Sequence, residues 1–316
     1  MNYKIRKVVS LFFHNPIKNM NLKFLLLTTL FVSSALSTVS AEEIILNTGD
    51  ANGNYHKVIG KSLKKELEKR GHNVVLKPSK GSVANIQAVK GKANVIGIVQ
   101  ADVARSFIDK EKGFDNVGMT GNLGSECGFL VVRTDGEDDI KDLKGKKVAC
   151  GKEGSGTLFT FHNLLAQNPD IKDLNLKYKS GKRYIGKVDN KSYGAYFFMS
   201  VPDPKNEEIK EVVKNKDLDF LPLDELKIGE LGKGDNPIYS ILEVPVEKSF
   251  TGKHKRSVNT ICTYATIVVD EDATSEKVLN DIYEASKSVR STHQTIWGFS
   301  KGLVDKAKDK IETLKK

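Results

Sequence analysis

Short apolar runs alternate along this chain with segments of helical period, and that alternation restricts the fold more than any other feature. The strand-like runs are EIILNT, NVVLKP, NVIGIVQ, CGFLVVR, KKVACG, AYFFMSV, DLDFLPL and CTYATIVV. Between the first two, Tyr55, Val58, Ile59, Leu63 and Leu67 recur at helical spacing, and an Arg-Gly pair ends the pattern. SVANIQAVKGK reads as a short helix. SGTLFTFHNLLAQNP reads as another, with Leu158, Phe161, Leu164 and Leu165 on one face. SEKVLNDIYEASKSVRS and GLVDKAKDKIETL carry the same period near the end. Strand–helix–strand order predicts an α/β protein with largely parallel sheets. The middle of the chain, PDPKNEEIKEVVKNKD and IGELGKGDNP, is charged and rich in turn formers. Two lobes are expected, the chain leaving the first near CGFLVVR and returning to it through CTYATIVV.

The N-terminus reads as a targeting segment. Lys4, Arg6, Lys7, Lys18 and Lys23 precede the first acid, Glu42, and FLLLTTLFV is an apolar run of the length found in signal peptides. Small residues in VSA, ending at Ala41, offer a cleavage site, so residues 1–41 are expected to be a signal peptide and the protein to be exported. Their removal takes away five of the fifty basic residues and none of the forty acids, which leaves a net charge of +5. The remaining lysines alternate with acids and are not interleaved with aromatics, a solvated surface rather than a nucleic-acid footprint.

Cys127, Cys150 and Cys262 are three in number, so in an exported chain at least one stays free or pairs between molecules. Each lies in an apolar, strand-like stretch. Buried small residues and a disulfide between two of them are both open, with no framework visible.

Three glycine-containing turns each follow a strand and open a helix. The first is NTGDANGNY, with Gly49, Gly53 and Tyr55. The second is SKGSVAN, with Gly81, Ser82 and Asn85. The third is GKEGSGT, with Gly154, Ser155, Gly156 and Thr157. The alternating Asp50, Asn52 and Asn54 imitate a calcium loop, but Tyr55 and Lys61 stand where that loop needs Gly and Glu. GSGT lacks the Lys of a phosphate loop. A helix N-terminus offers unpaired N–H groups and the positive end of the dipole, and glycine lets a ligand approach the backbone. Each turn alone reads more readily as a capped helix. Two before and one after the crossover put donors on both walls of an interlobe cleft, where small-molecule pockets commonly sit.

The order TGDANGNYHKVIG, GSVANIQAVKGKANVIGIVQADVA, DLKGKKVACGKEGSGT and AYFFMSVPDPKNEEIKEV resembles the TAXI-type solute-binding proteins of TRAP (tripartite ATP-independent periplasmic) transporters. The resemblance covers nearly the whole chain after residue 41. It implies a two-lobed type II periplasmic-binding-protein fold with hinge strands: 42–128 as the first part of lobe 1, 129–262 as lobe 2, and 263–316 returning to lobe 1. It implies a periplasmic protein that closes on a small organic anion or zwitterion, such as a glutamate-like amino acid or a 2-oxo dicarboxylate. The solute would pass to a TRAP-type membrane permease, with no cofactor. Carried over residue by residue, the ligand contacts are Gly53, Tyr55, Gly81, Ser82, Asn85, Gln100, Asp102, Ser155, Gly156 and Thr157. Asp102 either pairs an ammonium group or caps the helix VARSFIDK, the cap being the favoured role. Phe198 is a candidate for the cleft wall or the core. Arg105 and Arg133 lie near the motifs without forming a dedicated pair. Gly194 stands where the family carries an Asp before Ala195.

An exported enzyme acting on a small carboxylate is the main alternative. No His-Glu-x-x-His zinc motif and no Gly-x-Ser-x-Gly elbow occurs, although a Cys–His pair distant in sequence stays open.

Overall fold

The computed structural model describes residues 41–233, 237–248 and 254–296. The expected signal peptide and the final helical pattern, GLVDKAKDKIETL, lie outside the described residues. The strands are β1 (Glu43–Gly49), β2 (Asn73–Pro78), β3 (Val95–Gln100), β4 (Val117–Arg133), β5 (Lys147–Ala149), β6 (Asn175–Lys177), β7 (Ala195–Ser200), β8 (Leu218–Leu221), β9 (Ser240–Lys248) and β10 (His254–Asp270). The α-helices are α1 (Lys61–Glu68), α2 (Ser82–Val89), α3 (Ala101–Lys110), α4 (Gly156–Gln167), α5 (Arg183–Asp189), α6 (Glu207–Lys214) and α7 (Glu276–Ile296).

One sheet runs β2-β1-β3-β10-β4-β7-β5-β6, with β8 paired to β4 and β9 to β10. We call the wing around β1 lobe 1 and the wing around β7 lobe 2. Parallel pairing is confined to β1 with β2 and β3, and to β5 with β6 and β7. The pairs that involve β4 or β10 are antiparallel. The sheet is therefore mixed rather than largely parallel, because two 17-residue strands run through both lobes in opposite directions.

Those two strands change partners at one point. From Cys127 onward β4 leaves β10 and pairs with β7. At Cys262 β10 passes from β9 to β4. A disulfide joins Cys127 to Cys262 there, and Cys150 stays as a buried free thiol. The first half of β4 carries no apolar run. Gly121 and Gly124 take positive φ, and β4 bulges between them opposite Thr266 of β10, whose hydroxyl donates to the carbonyls of Thr120 and Gly121.

Both faces of each wing are covered. In lobe 1, Ile44, Leu46, Ile96 and Ile98 pack with Leu63 and Leu67 of α1 and Val278 and Ile282 of α7. The other face takes Ile86 and Val89 of α2 and Val103 of α3. In lobe 2, Phe129, Tyr196 and Phe198 pack under α5 and α6, and Leu130, Val148 and Phe197 pack under α4. Phe198 stacks on Phe129 at 5.3 Å, which assigns it to the core and not to the cleft wall. The backbone of Gly194 lies against the side chains of Lys146 and Leu143. Among the described residues no helix is long and apolar enough to cross a membrane.

Candidate functional site

The three glycine turns meet. Val83 in the second turn donates its N–H to the carbonyl of Gly154 in the third at 3.2 Å. Gly81 adopts φ +128°, and a β-carbon there would lie 2.9 Å from the Gly154 carbonyl oxygen and from Ser155 Cα. Gly156 packs against the Gln100 amide and the Ser82 hydroxyl so closely that no side chain fits between them. Tyr55 approaches Gly49. The lobes touch through residues that have no side chain to hold them apart.

The first turn is held by its own atoms. Asp50 accepts from the N–H of Asn52 through its carboxylate and from that of Gly53 through its carbonyl. A π-helical turn, Tyr55–Gly60, follows and runs into α1. It turns Tyr55 inward, and the phenol donates to Glu126 Oε2 at 2.8 Å. Such turns recur at functional sites because the extra residue re-aims a side chain. Glu126 belongs to the first half of β4, one residue before the disulfide.

Asp102 is the centre of the interlobe contact. It is fully buried in the first turn of α3, whose N-cap is Gln100, so the expected cap is filled by another residue. Its Oδ1 accepts from Val103 N–H at 2.9 Å. Its Oδ2 accepts from two hydroxyls of lobe 2, Thr160 at 2.6 Å and Tyr239 at 2.7 Å. Gln100 Nε2 also donates to Thr160, at 3.4 Å, and Asn163 Nδ2 donates to the Tyr239 oxygen. Ser82 Oγ accepts from the N–H of Gln100.

The electrostatics of the site are acidic. Burial raises the Asp102 carboxyl above its ordinary range, with the Thr160 and Tyr239 bonds opposing. Burial pushes Glu126 up to about 7, the Tyr55 bond opposing and the Asp102 charge adding. Burial and then Glu126 raise the Tyr55 phenol well above its usual value, and burial and then Asp102 do the same for Tyr239. Among the described residues, no basic group is one of the main influences on either carboxyl.

Of the ten residues carried over from the resemblance, Tyr55, Ser82, Gln100, Asp102 and Gly156 come together here, and Gly81 lies at the lobe contact. Asn85 is not bonded to these groups. It is fully buried, donating to the Ile98 carbonyl at 2.7 Å and accepting from Ser79 Oγ. Ser155 is the N-cap of α4, accepting from Leu158 N–H and donating to the Lys152 carbonyl. Gly53 shapes the first turn, and Thr157 lies one residue beyond Gly156 in α4. Arg105 pairs with Asp109 on the surface, and Arg133 pairs with Asp135 and Asp189 in lobe 2.

Glu126, Thr160, Asn163 and Tyr239 were not singled out by sequence. Gly156, Thr160 and Asn163 fall at i, i+4 and i+7, a polar stripe on an otherwise apolar helix, and that stripe was readable. Tyr239 arrives from a loop before β9 and Glu126 from an irregular strand, and neither carries a local pattern.

Solved structures resemble this chain only distantly. A *Salmonella typhimurium* periplasmic binding protein described as having high arginine specificity is 15% identical, with a TM-score of 0.48, over 81% of this chain and 99% of that one. The periplasmic aliphatic sulphonate binding protein of *Escherichia coli* is 17% identical, with a TM-score of 0.47, over 81% and 72%. A histidine kinase sensor domain similar to periplasmic binding proteins is 16% identical, with a TM-score of 0.49, over 81% and 96%. Identities of this order say nothing of the ligand. The model of the NMT1-like family matches residues 46–308, most of the chain, and the chain belongs to that family.

Proposed function

We propose that this protein is an extracytoplasmic solute-binding protein of the TAXI type, closing its two lobes on a small organic anion or zwitterion and passing it to a TRAP-type membrane permease. The observation that carries the reading is the convergence on Asp102 of hydroxyls from the opposite lobe, beneath glycine turns that touch across the same cleft. Long hinge strands and walls lined with hydrogen-bonding side chains are what a domain-closure binder needs. An exported enzyme gains no support from the remaining thiol: Cys150 is buried and its thiol is pushed up to about 12, which leaves it a poor nucleophile.

Thermal melting against a panel of amino acids and organic acids tests the reading. A solute at about 100 times its Kd adds roughly 2.7 kcal/mol of stability. Native mass spectrometry of the purified protein identifies any solute carried with it. Failure of every panel member, with no solute in the mass spectrum, would defeat the proposal. Sodium-dependent uptake by a TRAP permease reconstituted with this protein tests the partner.

A further inference from the structure

We infer that the interlobe site anchors its solute through a protonated nitrogen, an ammonium or guanidinium group, held between Asp102 and Glu126. The inference rests on the solute-binding reading and specifies the chemistry of the solute.

Two carboxyl groups stand where the lobes meet, Asp102 fully buried and Glu126 7% exposed. Their hydrogen-bond partners among the described residues are neutral: Thr160, Tyr239 and the Val103 amide for Asp102, and Tyr55 for Glu126. The basic side chains near the turns are turned outward. Arg105 is engaged with Asp109, and Lys152 lies 3.8 Å from Asp50 at the exposed rim. Burying a carboxylate without a counter-charge is costly, and two that act on each other cost more. A third negative group placed beside them would deepen the penalty, whereas a cation removes it.

A separate observation points to the same spot. Thr263 on β10 is the cross-strand partner of Glu126 on β4, so the two side chains share one face of the sheet. Thr263 is 3% exposed and its Oγ1 has no hydrogen-bond partner. Buried hydroxyls are almost always paired, and this one, beside a buried carboxylate, is available to a polar group of a ligand. Among the described residues no group of three or more His, Cys, Asp or Glu is placed to hold a metal, and the two carboxylates with tyrosine and threonine hydroxyls suit an organic cation. The carboxylate of a zwitterion would then face the helix N-termini at the turns.

Matched solutes test this. Glutamate and 2-oxoglutarate differ by an ammonium against an oxo group, and arginine and agmatine keep the cation with and without a carboxylate. We expect the nitrogen-bearing members alone to raise the melting temperature, or native mass spectrometry to find a solute with a basic nitrogen. Glu126→Gln and Asp102→Asn should each weaken its binding by tenfold or more. Circular dichroism and a cooperative melt establish that each variant is folded. If Asp102→Asn does not fold, Glu126→Gln decides. Equal shifts from 2-oxoglutarate, a carried solute without basic nitrogen, or unchanged affinity in folded Glu126→Gln would overturn the inference and leave solute binding standing. No shift from any probe, with no carried solute, would overturn both.

Discussion

Gly156 of lobe 2 lies against Gln100 of lobe 1 so closely that a methyl group on Gly156 would collide with the Gln100 side-chain oxygen. Gln100 is buried, so its side chain has little room to withdraw. Gly156 opens α4 with ordinary helical geometry, and nothing in its backbone requires glycine. Gly156→Ala therefore separates folding from closure. The expected outcome is an unimpaired melting temperature without solute, a larger radius of gyration by small-angle scattering, and at least tenfold weaker solute binding. An alanine variant that binds as tightly as the parent would show that the observed contact is not the bound state.

Glu126 makes stability depend on pH in a direction opposite to a salt-bridged carboxylate. Its folded value of about 7 lies above the ordinary 4.5, so the native state holds an extra proton between those limits. The stability it contributes is full below about pH 4.5 and is lost as the pH rises through about 7. The groups that face it are Tyr55 from the π-helical turn, Asp102 from α3 and Thr263 across the strand pair. Glu126→Gln removes this ionisation. Between pH 5 and pH 8 the parent should lose up to about 2.5 kcal/mol relative to the variant, less whatever lobe opening relieves. Urea unfolding without solute at the two pH values measures it, and parallel pH dependences would refute it. A bound cation should reverse the trend, because it pairs with the ionised carboxylate. The same two groups thus oppose closure on nothing and favour closure on a cation.

Much of the frame was legible because it rests on local period and turn chemistry. The strands β1 to β3, with their helices, follow from apolar runs and glycine breaks, and each of the three turns supplies a residue to the observed interlobe contacts. The expectation of a largely parallel sheet failed because the first half of β4, VGMTGNLGSE, and the start of β10 have no apolar alternation. Those segments are strands because of their partners, an influence that local sequence does not carry. Glu126 and Thr263 lie on them or beside them, and so were invisible for the same reason. Asn85, a polar residue one turn into a helix, reads as a ligand contact, and in the fold its side chain bonds the next strand through the Ile98 carbonyl.

The disulfide lies where both crossing strands exchange partners, so it bears on the whole frame. It closes a loop spanning 135 residues. Cys127→Ser with Cys262→Ser should cost about 2–4 kcal/mol, seen as a lower urea midpoint for the variant and for the reduced parent alike. Equal midpoints for oxidised and reduced protein would mean that the strands hold each other without the bond. The neighbouring pair, Glu126 and Thr263, is one residue away on each strand, and a looser crossing should also weaken solute binding.

Asn85 bonds the start of α2 to β3: its amide donates to the Ile98 carbonyl and its oxygen receives Ser79 Oγ. Both partners are then fixed relative to Gln100 and Ser82, two residues of the site. Alanine would leave the Ile98 carbonyl without its side-chain donor and free Ser79 in a confined space. The expected cost is about 1–3 kcal/mol of stability, read from urea unfolding without solute. Solute affinity should fall only as far as Ser82 and Gln100 shift. Asn85→Asp is the sharper probe, because it keeps the shape but places a carboxylate oxygen against a carbonyl. It should destabilise at least as much as alanine near neutral pH and recover as the introduced carboxyl is protonated. Ser155→Ala provides the comparison: it removes an N-cap and should cost about 0.5–2 kcal/mol. A large loss of affinity in Asn85→Ala with unchanged stability would place Asn85 on the solute after all, and would require a cleft wider than the one observed.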